Sequence, residues 1–487
     1  MQELFNPKSV VLVGATEREG SVGLGIAKNL MEGKSQRKIF FINPNTKKVL
    51  KQKTFNSILE VKEEVDLAVI AVPSKFVEQI SQECAEAKVK ACIIISSGFA
   101  EVGREGEKLQ KQVAEIFKKN NIPLVGPNCL GVINPSVNFN ASFAPATPQK
   151  GEIAFLSQSG ALIDSIIDKS ILESFGFSLL ASYGNEAGLS LNDFLKISLK
   201  DKNTKAIAVY LEEIKNGQEF IKIATEITKI KPIVVLKGGK TQEGKKAVQS
   251  HTASLAGNAK VYSAVFKKAG IIEVETIEDL FLVSQVLSSF VFRHSEPAGE
   301  ESRDPLLDPS LITQGDKERV QGDTVIDNGC TKGGWAILTN GGAVGVITAD
   351  WCSRFGVKLA EIPEQVFQQI ENSKKVNLSF SRNNPLDIIG DASSESYKIS
   401  LRALLSQEQI KGVIFCQTLQ TMTNPKENAK IIVEAQKQFP QKPILPLFLG
   451  GKITQEGVNL LKENNIVTFN EPRDIALIAS ILKAVGI

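Results

Sequence analysis

The sequence contains no apolar run near the ~20 residues that a membrane helix needs. Its longest apolar stretches, such as Leu67 to Pro73, have strand length and stop at turn residues. The opening residues, Met1-Gln2-Glu3-Leu4-Phe5-Asn6-Pro7, carry neither a basic head nor an apolar core, which reads against a secretory leader and for a cytoplasmic protein. An excess of either charge is missing too. The 57 basic and 54 acidic residues leave a net +3, too balanced to point to nucleic acid or an anionic membrane surface. The six cysteines are scattered with no Cys-x-x-Cys pair, so they read as reduced structural thiols and not as a metal site. Histidine is scarcer still: His251 and His294 are the only two, so any imidazole chemistry falls to one of them.

What is present is an ordinary globular composition, 42% hydrophobic and 23% charged, in 487 residues. That length exceeds a single core and suggests about three domains at ~150 residues each. The first ~130 residues alternate short apolar runs (Val10–Val13, Ile39–Ile42, Leu67–Ile70, Ala91–Ile95, Ile122–Val125) with amphipathic stretches such as Phe76 to Ala87 and Glu105 to Asn120. Strands apolar on both faces, separated by helices, predict a parallel sheet in a doubly wound α/β domain over 1–133. A proline-punctuated link, 134–148, leads to a second α/β unit over 149–290. Residues 293–333, rich in Pro, Gly, Asp and Glu, read as a flexible insert, and 334–487 reads as a third α/β domain. The last two units look duplicated. Leu156-Ser-Gln-Ser-Gly-Ala161 is similar to Leu338-Thr-Asn-Gly-Gly-Ala343, and the Lys231 to Gly244 segment is similar to Lys442 to Gly457.

Two constellations carry chemistry. After the first strand comes Gly14-Ala15-Thr16 and, further on, Gly20-Ser21-Val22-Gly23. Glycines between strand and helix let backbone amides approach a phosphate. A dinucleotide domain wants an acidic residue at the end of strand two. This chain has Asn43-Pro44-Asn45 with Lys47 beyond, which suits a phosphorylated ribose and argues against a nicotinamide oxidoreductase. Val72-Pro73, Ser97-Gly98 and Asn128 follow later strands on the same sheet edge, where ligands bind in open α/β sheets. Cys129 has no histidine near it in sequence and reads as structural.

The second constellation centres on His251, in Ser250-His251-Thr252-Ala253-Ser254-Leu255-Ala256-Gly257. An imidazole set among small hydroxylated residues can accept and pass on a phosphoryl group. Ser157-Gln158-Ser159-Gly160, between a strand and an apolar helix, offers amides and hydroxyls to a phosphate. Glu212, or alternatively its neighbour Glu213, could accept from the other ring nitrogen and fix the tautomer.

In this order the motifs resemble the ADP-forming acyl-CoA synthetases and, more distantly, the succinyl-CoA synthetase α subunit. Ser9 to Thr16, Gly126 to Gly131, Leu156 to Ala161, Tyr210-Leu-Glu212, Ser250-His-Thr252 and Asn384-Pro-Leu-Asp-Ile-Ile-Gly-Asp391 carry the likeness. The resemblance implies a Rossmann-like CoA-binding domain followed by two flavodoxin-like ligase domains. It implies that His251 is the phosphorylated residue, Glu212 its orienting partner, and that CoA, a small carboxylic acid and phosphate are substrates. Acyl-CoA and phosphate give acyl phosphate, which phosphorylates the histidine, which in turn phosphorylates ADP. The family's Mg-ADP site is an ATP-grasp domain of ~200 residues, for which the three units leave no room, so a separate β subunit is expected. Ala253 and Gly341-Gly342 depart from the Gly and Gly-Pro common in the family. A non-catalytic acyl-CoA-binding regulator of the same fold is the alternative reading.

Overall fold

The structure, a computed structural model, describes residues 2–173, 175–252, 258–289 and 333–484, with the backbone alone for 249–252, 289 and 483–484. Ala253 to Gly257, Cys330, His294 and nearly all of the expected insert therefore lie outside the described residues.

The first sheet comprises β1 (Ser9–Val13), β2 (Lys38–Ile42), β3 (Lys48–Val49), β4 (Gln52–Phe55), β5 (Leu67–Ile70), β6 (Ala91–Ile94) and β7 (Leu124–Val125), in the order β3-β4-β2-β1-β5-β6-β7. All pairings except β3 with β4 are parallel. Strands β1, β5 and β6 are buried along their whole length, as expected for a sheet with helices on both faces. Helix α1 (Val22–Glu32) follows β1 and is capped by Ser21, whose Oγ accepts from the Leu24 N–H at 3.3 Å.

The stretch 134–148, expected as a link, contributes structure to the second domain instead. Strands β8 (Gly131–Asn134) and β9 (Phe139–Ser142) form an antiparallel hairpin on the edge of the second sheet. The rest of that sheet is β10 (Lys150–Ser157), β11 (Phe177–Ser182), β12 (Ala206–Leu211), β13 (Ile233–Lys237) and β14 (Ile272–Val274), in the order β14-β13-β12-β10-β11-β8-β9. Periodicity does not reveal the hairpin because its strands are only four residues each and the strand on which it docks, β11, is distant in sequence. The third sheet, β15 (Gly334–Thr339), β16 (Leu386–Asp387), β17 (Ile410–Thr418) and β18 (Ile444–Leu449), runs β16-β15-β17-β18, all parallel.

The duplication read in the sequence is visible in topology. Both ligase-type sheets place the second strand outside the first and the third and fourth on the other side, the order of a flavodoxin-like sheet. Equivalent helices, α2 (Gly160–Glu173) and α4 (Gly342–Arg354), follow the first strand of each, and α3 (Gln242–Thr252) follows β13. Helix α4 is buried from Gly342 to Cys352 because it lies between the two units. One apolar cluster joins Phe155, Ile163 and Val234 of the second domain to Val344, Ile347 and Ile414 of the third. Another runs from Val10 and Val69 of the first sheet to Ile207 and Val235 of the second.

Candidate active site at the junction of three sheets

In an open α/β sheet the crevice for ligands opens where the strand order reverses, outside the carboxyl ends of the strands. That point lies between β1 and β5 in the first sheet, β10 and β12 in the second, and β15 and β17 in the third. A single cavity of about 390 Å³ receives loops from all three. Val72, Pro73, Ser97 and Asn128 come from the first domain, Gln158, Ser159 and Gly160 from the second, and Asn340, Gly341 and Gly342 from the third.

At the first switch point the chain passes through a constricted turn. Gly14 has φ +98°, and a Cβ there would lie 2.2 Å from the Ala71 carbonyl oxygen. Asn43 donates through Nδ2 to the Ala15 carbonyl at 2.7 Å, which ties the end of β2 to the glycine turn. Gly14, Ala15, Thr16, Gly20, Ser21, Asn43, Pro44 and Lys47 all lie in the segments that follow β1 and β2, with Ala15 and Ser21 buried and Pro44 and Lys47 exposed. None of these lines the cavity, and neither does Gly98, whereas Val72, Pro73, Ser97 and Asn128 do.

At the second switch point the side chain of Gln158 bridges the crevice. Its Oε1 accepts from the Glu212 N–H and, at 3.0 Å, from the Glu213 N–H. Ser157 is fully buried, donates to the Ser159 carbonyl at 2.7 Å and accepts from the Ser159 N–H at 3.0 Å. It therefore shapes the loop from beneath, and Ser159 and Gly160 face the cavity at the start of α2. Glu212 is fully buried and accepts from the Tyr210 hydroxyl at 3.1 Å, whereas Glu213 is partly exposed. Nearby, Lys237 is 3% exposed, and burial lowers its ammonium to about 8 although Glu212 and Asp350 oppose the shift. His251 occupies the last turn of α3, and its side chain lies outside the described residues.

The third switch point repeats the second. Asn340 replaces Gln158: its Oδ1 accepts from the Thr418 N–H at 2.8 Å and from the Thr418 hydroxyl at 2.9 Å. Two helix N-termini, those of α2 and α4, therefore open on the same cavity. The motif Asn384 to Asp391 supplies the remaining wall through Asp387, Ile389, Gly390 and Asp391. Ile389 is held at φ +55°, and burial raises the Asp391 carboxyl while Asn377 Nδ2 donates to it at 2.8 Å. Sequence reasoning assigned no role to Asn340 or to the Asn384–Asp391 wall. The internal duplication held the signal for Asn340, since it aligns with Gln158.

Cys129 also lines the cavity, but it is no nucleophile. Burial pushes its thiol up to about 12, and Sγ donates to the Ile94 carbonyl at 3.2 Å. Among the described residues no cluster of potential metal ligands is present, and no helix is long and apolar enough to cross a membrane.

Three family models match in order: a CoA binding domain over 8–135, the succinyl-CoA ligase like flavodoxin domain over 150–287, and a ligase-CoA domain over 335–483. The chain is 35% identical to the acetate–CoA ligase [ADP-forming] I subunit alpha of Pyrococcus furiosus, covering 99% of this chain and 97% of that one. It is also 35% identical to a 4-hydroxybutyrate–CoA ligase [ADP-forming] of Nitrosopumilus maritimus, where it spans 61% of the longer protein. Among solved structures, a dinucleotide forming acetyl-coenzyme A synthetase 1 of Ca. Korarchaeum cryptofilum, in complex with phosphate and ADP, superimposes with a TM-score of 0.57 at 31% identity, covering 99% of this chain and 96% of that one. With full-length identity to a curated α subunit and all three domain models in register, the chain belongs to the ADP-forming acetate–CoA ligase family.

Proposed function

We propose that this chain performs the acyl-CoA and phosphohistidine steps of an ADP-forming acyl-CoA ligase, with acetate as the acid. The observation that carries this reading is the shared cavity. It joins the edge of a CoA-binding sheet to the amide-bearing ends of α2 and α4, so a thioester and a phosphate can meet there. CoA lies along the edge of the first sheet, its phosphates near Gly14, Thr16, Ser21 and Lys47 and its thioester reaching past Val72 and Pro73. Phosphate held by the amides of Ser159 and Gly160 attacks the thioester carbonyl, giving acyl phosphate and releasing CoA as the thiol. His251 then takes the phosphoryl group, the carboxylic acid leaves, and Glu212 holds the imidazole in the tautomer with a free nucleophilic nitrogen. Transfer to Mg-bound ADP takes place on an ATP-grasp polypeptide outside these residues, and the work is cytoplasmic. A non-catalytic acyl-CoA regulator would need neither the buried Glu212 nor the Gln158 bridge that positions it.

The test incubates the full chain with acetyl-CoA and labelled phosphate. Acid-labile, base-stable protein phosphate should appear in the wild type and be absent from His251→Asn. Labelling of His251→Asn at the wild-type rate would overturn the assignment.

A further inference from the structure

The helix carrying His251 is held at its base by a residue of another domain. Asp350, on α4, is 6% exposed and accepts from the Gly239 N–H at 2.8 Å, the Lys240 N–H at 3.0 Å and the Thr241 N–H at 2.7 Å. The Thr241 hydroxyl adds a fourth bond at 2.7 Å. These donors form the turn directly before α3, so a buried carboxylate from the third domain caps the N-terminus of the histidine helix. Ser353, one turn further along α4, donates to Glu243 in the first turn of α3 at 2.5 Å. Gly244 leaves no free space in this arrangement, since a Cβ there would lie 1.9 Å from Asp350 Oδ1.

The duplicated unit contains the mirror image. Asp168, on α2, is separated from Gly160 by the same spacing as Asp350 from Gly342. It accepts from the Gly451 N–H at 2.6 Å and from the Ile453 N–H at 3.0 Å, in the equivalent turn after β18. Each ligase domain therefore reaches across and caps the other's glycine turn. Only the turn capped by Asp350 leads to a histidine, and only that turn has the buried Lys237 beside it, where Leu449 stands in the copy.

We infer that Asp350 is a positioning residue for phosphoryl transfer: it fixes the pivot of α3 and so sets where His251 meets the acyl phosphate. This rests on the reading of His251 as the phosphoryl carrier. Asp168 makes the corresponding interdomain cap without that consequence, accepting from two N–H groups where Asp350 accepts from three and a hydroxyl, so it serves as an internal control. Asp350→Asn turns an amide toward N–H donors and leaves part of the turn unpaired, which releases the pivot.

The experiment uses the full chain with acetyl-CoA and labelled phosphate, and compares the labelling rate of Asp350→Asn with that of Asp168→Asn, alongside melting temperatures. A nucleophile displaced by ~1 Å costs on the order of tenfold or more in rate, so Asp350→Asn should label at least about tenfold more slowly. Its apparent KM for acetyl-CoA should stay within about twofold of wild type, since uniform binding is untouched. Asp168→Asn should also lower the melting temperature yet label at the wild-type rate. Equal slowing of both variants, or wild-type labelling by Asp350→Asn, overturns the proposal. Should Asp350→Asn fail to fold, Thr241→Val decides instead: it removes one of the four bonds to Asp350 and the hydroxyl's bond from the Gly244 N–H, and it should slow labelling where a wild-type rate refutes the idea. An unlabelled wild-type chain would place the failure in the His251 reading itself.

Discussion

At the scale of single residues, the site separates groups that act from groups that hold. Glu212 lies behind the Gln158 bridge and does not line the cavity, so its proposed role on the imidazole requires no contact with CoA. Glu212→Gln should therefore slow histidine labelling by about 10- to 100-fold while leaving the KM for acetyl-CoA unchanged, as steady-state and labelling kinetics would report. Cys129 occupies the cavity wall with its thiol pushed up to about 12, so at pH 8 it is not a thiolate. Cys129→Ala should keep wild-type labelling, and iodoacetamide should leave the residue unmodified in the folded chain by peptide mapping. Modification at the rate of a free thiol would contradict the burial described here.

At the scale of elements, the turn after β1 depends on one backbone conformation. Gly14 at φ +98° approaches the Ala71 carbonyl so closely that any side chain forces β1 and β5 apart at the point where they should part to admit a ligand. Gly14→Ala should add about 1–3 kcal/mol of local strain and weaken CoA binding by about tenfold or more, measured by calorimetry on the full chain. An unchanged affinity would mean that CoA does not use this turn. The strands around the turn were legible because they are buried on both faces and so read as continuous apolar runs. The hairpin β8–β9 was not, because its four-residue strands sit in a Pro- and Asn-rich stretch and β8 docks on β11, a partner nearly fifty residues away.

At the scale of the whole molecule, the two ligase domains share one apolar cluster and exchange caps through Asp168 and Asp350. A further tie crosses the same boundary. Glu471, in the third domain, accepts from the Glu278 N–H at 3.4 Å, and burial raises its carboxyl to about 7. Its folded value lies above the ordinary glutamate value of about 4.5, so its contribution to stability is fully present below about pH 4.5 and is lost as pH rises through about 7. At about 1.4 kcal/mol per unit, the loss is of order 3 kcal/mol. Glu471→Gln should therefore melt higher than wild type at pH 8, with the gap closing at pH 4.5, in paired calorimetric scans. A gap independent of pH would show that the carboxyl does not titrate in this range. Supplying an ATP-grasp partner should likewise convert acetyl-CoA, phosphate and ADP into ATP only in the mixture, not in this chain alone, as a luciferase assay would detect.

The sequence by itself determined the class of sheet, the close glycine turn after β1 and the duplicated ligase units, and it made His251 the candidate phosphoryl carrier. Each of these is local: apolar runs report burial, glycine reports a backbone that must pass close to its neighbours, and the motif around His251 lies within eight consecutive residues. Tertiary structure alone decided that three separate strand-order reversals open on one cavity, and that Asn340 and the Asn384–Asp391 wall belong to it. It also decided that Asp350, more than a hundred residues from the glycine turn, caps that turn from another domain. Such contacts join residues distant in the chain, and their energy comes from burying a carboxylate against amides that no local pattern encodes.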